Sequence, residues 1–392
     1  MVQFDNARQL VAKLAPERPV LCRRPHLAHR AASFFKERFP GHVFYAVKAN
    51  PAPWLLEALH QGGIDHFDAA SLTEIKLVRA HAPGATIGFM HPVKAEAAIL
   101  EAYQEHGVRI FSLDSLSELA KFERVLPDAR DLTLCVRLQV GSDLAKISLG
   151  SKFGAGEDTD AELLQQVRAR AERLGVCFHV GSQAMSPVAF KGALDRAARA
   201  VRRAGVILDV LDVGGGFPAV YPGMEPPSLE RYFAEIERCF ETFPSAANAE
   251  LWCEPGRALS ADAESVIVKV MGRRGDSLFI NDGAYGALYD AAHLGWRYPA
   301  QNLSRGGEEQ TFGLYGPTCD DADQMRGPFF LPVDTQEGDY IEFGTLGAYG
   351  RSMVTGFNGY GSYLEAGLTD EPFSSLYHTG AEQKMAAEEM TR

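Results

Sequence analysis

The chain has 392 residues, 46% of them hydrophobic and 23% charged, the balance of an ordinary globular protein with room for a barrel and a smaller module. Its formal net charge of −12 excludes a broad nucleic-acid surface, which needs clustered Lys and Arg. The same acidity favours cationic small molecules, though only weakly.

The opening residues, MVQFDNARQL, lack a basic stretch followed by an apolar one, so no secretory signal is expected. No segment reaches the length of a membrane span, and no membrane partner is expected. The six cysteines (Cys22, Cys135, Cys177, Cys239, Cys253 and Cys319) form no CxxC pair. They read as reduced thiols of a cytoplasmic protein, with no structural metal.

In chain order, VLCRR (20–24) reads as a strand ahead of a repeating unit. Short β-rich apolar runs follow at 43–47, 64–67, 86–90, 108–112 and 132–138, and then at 176–180, 208–213 and 250–253. Between the early runs lie helical patterns at 52–60, 71–80 and 95–105. Strands alternating with helices imply a parallel sheet, and eight such units predict an α/β (β/α)8 barrel over residues 26–256. The longest gap holds SDLAKISLGSKFGAG (142–156), a polar, Gly-rich loop expected at the barrel mouth. Beyond residue 256, runs such as 264–271, 277–280 and 339–343 are separated by Gly, Pro and Asp turns. This predicts a mainly β domain formed by 1–25 and 257–377, with 378–392 expected to fray.

Functional groups of a parallel barrel gather where its strands end. Those ends carry Lys48, Asp68, His91, Arg137, His179, the run Gly214-Gly215-Gly216, and Glu254. Lys48 closes the apolar strand of FYAVKANP, where a desolvated stem would lower its pKa and leave a nucleophilic amine. A lone lysine there is usually a solvated strand end, so the surrounding set matters. Three glycines after the seventh strand let a phosphate approach backbone N–H groups, and Arg257 in EPGRAL can clamp the same group. His179 suits a base, a ring partner or a core histidine; with no second His or Cys at ligand spacing, metal is discounted. In YGPTCDDAD, Cys319 lies beside acids that raise a thiol pKa, which suits a proton carrier better than a standing thiolate. LYDAAH and GAYG place Tyr289, Asp290 and Tyr349 in loop-like contexts.

FYAVKANP, FDAASLTE, HVGSQ, DVGGGFP, EPGR, GPTCD and GAYG occur in an order that resembles the ornithine/diaminopimelate/arginine decarboxylase family of fold-type III pyridoxal-phosphate enzymes, ornithine decarboxylases most of all. The resemblance runs from residue 44 to FNGYGS (357–362). It implies pyridoxal 5'-phosphate carried by Lys48, with Ser182, Gly214, Gly215, Gly216, Gly256, Arg257 and Tyr349 around the phosphate. Glu254 would pair with the pyridine nitrogen, His179 would stack on the ring, and Asp68 and Arg137 would line the cofactor. Glu74 and Lys152 match further family positions to which no chemistry is assigned. The family assembles as a homodimer, which implies that each site takes Cys319 and Asp320 from the second subunit and that Cys319 protonates the substrate.

Diaminopimelate decarboxylases carry a Cys-Glu-Ser type of motif where this chain has GPTCDD, and they need a base for the distal carboxylate. Here Asp290 and Asp320, with Tyr289 beside them, suit a distal ammonium. Opposite charges in a shielded site contribute a few kcal/mol. The expected reaction is therefore L-ornithine to putrescine in polyamine biosynthesis, with lysine to cadaverine as a second activity, since one methylene gives only about 10–200-fold discrimination. The alternatives are diaminopimelate decarboxylation, another fold-type III enzyme such as a racemase, and a catalytically inactive partner-binding homologue. FNGYGS and the short chain also argue against eukaryotic-style control by an inhibitor protein.

Overall fold

The computed structural model describes residues 2–141 and 143–377; the tail expected to fray, 378–392, lies outside the described residues. The chain forms two compact units, one from 35–218 and 226–259, the other from 2–34, 219–225 and 260–377.

The first unit is a closed barrel of eight parallel strands: His42–Ala46, His66–Ala69, Thr86–Phe89, Ile110–Leu113, Thr133–Arg137, Arg173–Cys177, Val210–Asp212 and Glu250–Cys253. Neighbours in sequence pair in order, and Trp252–Cys253 returns to pair with His42–Val43 and close the ring. The (β/α)8 expectation holds. Phe44, Ile110, Cys135, Cys177, Val210 and Trp252 pack as one buried cluster, so the barrel centre is solid. Burying a side chain such as Phe44 contributes about 1.5–3 kcal/mol. The helices after the second and fourth strands start on serine caps. Ser71 accepts from the Glu74 N–H at 3.2 Å, and Ser115 from the Glu118 N–H at 3.3 Å.

The sixth strand differs from expectation. It spans 173–177 rather than 176–180, because RLGVC carries a glycine that argues against a strand. A Cβ on Gly175 would meet Cys135 Sγ at 2.4 Å, so the strand needs glycine to accommodate the thiol. The second strand likewise begins two residues later than expected, which puts Asp68 inside it. The long loop contains a short strand, Ala145–Ile147, paired antiparallel with Ser182–Ala184.

The second unit is built on a nine-stranded sheet. Its main path runs Gln3–Phe4, Leu364–Leu368, Val20–Arg23, Glu264–Arg274, Ser277–Ile280, Glu309–Tyr315 and Gln324–Pro332. Tyr340–Phe343 also pairs with Glu264–Arg274, and Ala300–Asn302 pairs with Tyr340–Phe343. Arg24 anchors this unit with Nη2 on Glu342 at 2.9 Å and Nε on Asp370 at 2.7 Å, both its own side chain and Glu342 being buried.

The division between units departs from 25/26 and 256/257. It falls within helix Pro25–Arg38, whose later residue Phe35 packs edge-on against Phe217 and Phe233, at 5.5 and 5.1 Å, in the barrel unit. Residues 219–225 join the β unit because Tyr221 packs on Trp296 and Tyr298, at 4.9 and 5.8 Å. The second boundary lies after Leu259, within helix Arg257–Ser260.

Candidate active site

At the C-terminal ends of the barrel strands is a cavity of about 290 Å³ lined by Lys48, Asp68, His91, Arg137, His179 and Glu254, together with the apolar Met90, Leu149 and Phe153. Six of the strand-end residues singled out in the sequence therefore share one wall. Lys48 is less buried than its apolar strand suggests. The strand ends at Ala46 and the chain enters a short 3-10 turn, Val47–Ala49, leaving the Lys48 side chain 41% exposed with Nζ 3.5 Å from Asp68 Oδ2. Asp68 itself is buried. Gly256 stands beside this turn, where a Cβ would come within 3.0 Å of Ala49 Cβ.

His179 lies two residues beyond its strand and is half-buried. Burial, with Lys48 and Arg137 nearby, holds its imidazole well below the usual range. The Gly181 N–H donates to Nδ1 at 3.0 Å, so the neutral ring carries its hydrogen on Nε2. A Cβ on Gly215 would approach that Nε2 to 3.0 Å. The glycine loop thus passes directly beside the ring. Gly214 has φ +67°, and its Cβ would lie 1.8 Å from the Phe178 carbonyl oxygen, a position only glycine can hold. Alongside, Arg257 Nη2 donates to Ser182 Oγ at 3.3 Å.

Glu254 and Asp212 form the buried acidic floor. Burial and mutual repulsion push the Glu254 carboxyl well above its usual range, and Asp68 adds to the effect. Burial also raises Asp212, whose Oδ1 accepts the Gly214 N–H at 2.8 Å. Glu254 Oε1 is buried without a hydrogen-bond partner among the described residues. Such a group is costly unless something donates to it.

The remaining candidates belong to the β unit. Cys319 is exposed, with its N–H donating to Asn358 Oδ1 at 3.1 Å. Tyr285 Oη donates to Asp320 Oδ2, and the Ala322 N–H donates to Oδ1 at 2.9 Å. Buried Asp323 ties the cysteine loop down, accepting from the Thr318 N–H and hydroxyl at 3.0 and 2.7 Å and from the Ala284 N–H at 2.7 Å. Tyr289 and Asp290 are helical rather than loop residues, opening the turn Tyr289–His293, where Tyr289 stacks on His293 at 4.1 Å and Asp290 is buried. Tyr349 takes a left-handed φ of 65°.

The family described as "Pyridoxal-dependent decarboxylase, pyridoxal binding domain" matches residues 26–261. A lysine/ornithine decarboxylase of Selenomonas ruminantium is 34% identical over 329 residues, covering 81% of each chain. This chain belongs to the pyridoxal-dependent decarboxylase family. Among solved structures, the arginine decarboxylase of Paramecium bursaria Chlorella virus gives a TM-score of 0.82 at 27% identity, covering 92% of this decarboxylase and 98% of the viral chain. The structure of SrLDC in complex with PLP and cadaverine gives 0.79 at 27% identity, covering 100% and 98%.

The decarboxylase's own residues fit pyridoxal phosphate. A protonated ring nitrogen would supply the donor that buried Glu254 Oε1 lacks. The exposed Lys48 amine shares the cavity with that carboxylate, and the glycine loop brings backbone within reach of a phosphate. Sequence reasoning left Asp212, Tyr285 and Asp323 without roles. A signal existed for Asp212 and Asp323, which stand inside the quoted motifs DVGGG and GPTCDDAD, while Tyr285 stands in a second GAYG, 283–286, that was not singled out.

Proposed function

We propose that this decarboxylase converts L-ornithine to putrescine, with lysine to cadaverine as a slower activity, as a cytoplasmic step of polyamine synthesis. The observation that carries the substrate class is two held acids, one of them next to the proposed proton donor. Tyr285 fixes Asp320 beside Cys319, and Asp290 is buried in a short helix. Carboxylates held in this way suit a distal ammonium. The relatives agree in class: one is a lysine/ornithine decarboxylase, another an arginine decarboxylase, and a third holds cadaverine. The buried, unpaired thiols fit a reducing compartment.

Pyridoxal phosphate, when bound, supplies the electron sink for the pair released as the Cα–carboxylate bond breaks and carbon dioxide leaves. Lys48 is the amine that carries it, and Asp68, 3.5 Å from Nζ, is placed to hold or accept the Lys48 proton. Glu254 would keep the ring nitrogen protonated. His179 would support the ring as a neutral imidazole, and Ser182, Gly214–Gly216 and Arg257 would hold the phosphate. Arg137 and Asp68 would line the cofactor. The Cys319 thiol delivers a proton to Cα, and its exposure lets water restore that proton. We assign Cys319 and Asp320 to the site of a partner subunit in a homodimer.

The test is product analysis after incubating the cofactor-loaded protein with ornithine, lysine, arginine or diaminopimelate. Putrescine should form fastest, and cadaverine about 10–200-fold more slowly. Lysine formed from diaminopimelate alone would overturn the substrate reading.

A further inference from the structure

His91 lines the cofactor cavity but has no part in the chemistry above. Three contacts fix its position. The Val93 N–H donates to His91 Nδ1 at 3.2 Å. The ring meets Phe153 edge-on at 5.1 Å. Beneath it, the buried Lys94 ammonium donates to the carbonyl oxygens of His91 at 2.8 Å, Pro92 at 3.2 Å and Ser112, while Glu118 accepts the Lys94 N–H at 3.2 Å. The Lys94 ammonium also lies over the rings of Phe89 and Phe122, at 5.7 and 5.5 Å. Burial lowers the Lys94 pKa to about 7, and in either form its N–H donors are taken up by these carbonyls, which commits the turn to a single shape.

With Nδ1 occupied as an acceptor, the neutral ring carries its hydrogen on Nε2. Burial and the nearby Lys94, Lys152 and Arg137 charges lower the His91 pKa, which favours that neutral form. The cavity therefore holds a pre-oriented, uncharged donor.

We propose that His91 is a substrate-positioning residue whose Nε2–H receives the α-carboxylate of the amino acid, the group that leaves. The inference rests on the amino-acid decarboxylase reading above. Two other destinations fit less well. The phosphate is matched by the glycine loop and the Ser182–Arg257 pair, none of which is among the described residues lining this cavity. A distal ammonium needs an acceptor rather than an N–H. Charge supplies a reason for histidine rather than the Arg137 or Lys152 cations that also line this cavity: the carboxylate loses its charge as carbon dioxide departs, so a cation holding it would stabilise the ground state more than the transition state. A neutral donor orients the group with a weaker hold than a charge-assisted bond. The apolar Met90, Leu149 and Phe153 on the same wall add desolvation.

The test compares wild type with His91→Phe, which keeps the ring against Phe153, and His91→Gln, which restores an N–H donor. Three quantities are measured on each cofactor-loaded protein: pyridoxal phosphate affinity, putrescine affinity by absorbance titration, and kcat and KM for ornithine. Putrescine has no carboxylate. His91→Phe should leave the first two within about two-fold and raise the ornithine KM about 10-fold, equivalent to about 1.4 kcal/mol. His91→Gln should recover part of that loss. Equal weakening of ornithine and putrescine, an unchanged ornithine KM, or a loss confined to cofactor affinity would each overturn the assignment. If wild type decarboxylates no basic amino acid, the substrate reading falls with it; if wild type is active and the variants behave alike, only the His91 assignment falls.

Discussion

Glu254 brings a carboxylate into a buried site where its Oε1 has no donor among the described residues, and the amide of glutamine cannot replace it as a charge partner for a protonated ring nitrogen. Glu254→Gln should therefore retain pyridoxal phosphate while kcat falls about 100-fold or more, a magnitude typical of a lost electrostatic partner; cofactor titration and steady-state kinetics would check it. Asp282 is a buried acid with a structural role. Burial, with the Asp323 charge nearby, pushes its carboxyl up to about 7 despite hydrogen bonds from Tyr363 and the Ala287 N–H. The folded protein keeps that proton at pH values where the unfolded chain has lost it, so the stabilisation is complete below about pH 4 and is lost as pH rises through 7. Between pH 5 and 8, wild type should lose about 1–3 kcal/mol more unfolding free energy than Asp282→Asn, as read by denaturant titration. At this scale the sequence was legible where a residue stood at or near the end of a strand, as with Asp68 and Arg137. The role of Asp323 was not legible although the residue ends a quoted motif, because it depends on packing against Gly283, distant in sequence, as well as against nearby Gly316. A Cβ on Gly283 or Gly316 would come within 2.2 or 2.1 Å of its carboxylate.

The elements were legible through period and length. Alternating strand and helix patterns led to the barrel, but Gly175 hid the start of the sixth strand. A glycine lowers strand propensity in sequence, yet here it makes room for Cys135 Sγ across the pair. The short strand that pairs with the long loop, Ser182–Ala184, was invisible for another reason: its partner is a three-residue segment whose pairing is set by tertiary position. The glycine turn after the seventh strand gives the sharpest prediction for an element. Gly214→Ala must place a Cβ against the Phe178 carbonyl oxygen at positive φ. The variant should lose about 2–4 kcal/mol of stability and most of its affinity for pyridoxal phosphate, by thermal unfolding and cofactor titration. An unchanged melting temperature would show that the loop relaxes more freely than its packing indicates.

For the whole molecule, fold class and family were readable because seven short motifs kept their order over most of the chain. The unit boundaries were harder to read. Phe35 and Tyr221 belong to the unit their rings pack in, which a change in sequence texture does not report. The proposed sharing of Cys319 across a homodimer leads to a mixing experiment. Lys48→Ala and Cys319→Ala should each be inactive, while unfolding and refolding them together should restore about a quarter of wild-type activity, because half the dimers then hold one intact site. Mixtures that stay inactive would place Cys319 and Lys48 in the same protomer's site, and an active Cys319→Ala would remove the thiol from the chemistry.

Lys48 is the residue proposed to carry pyridoxal phosphate in a cavity floored by Glu254. Reducing the cofactor-loaded protein with borohydride, digesting it and mapping the pyridoxyl mass addition by mass spectrometry tests this directly. The predicted result is one stoichiometric adduct on the peptide containing Lys48, absent from Lys48→Ala. An adduct on another lysine, or none in a protein that decarboxylates ornithine, would contradict it.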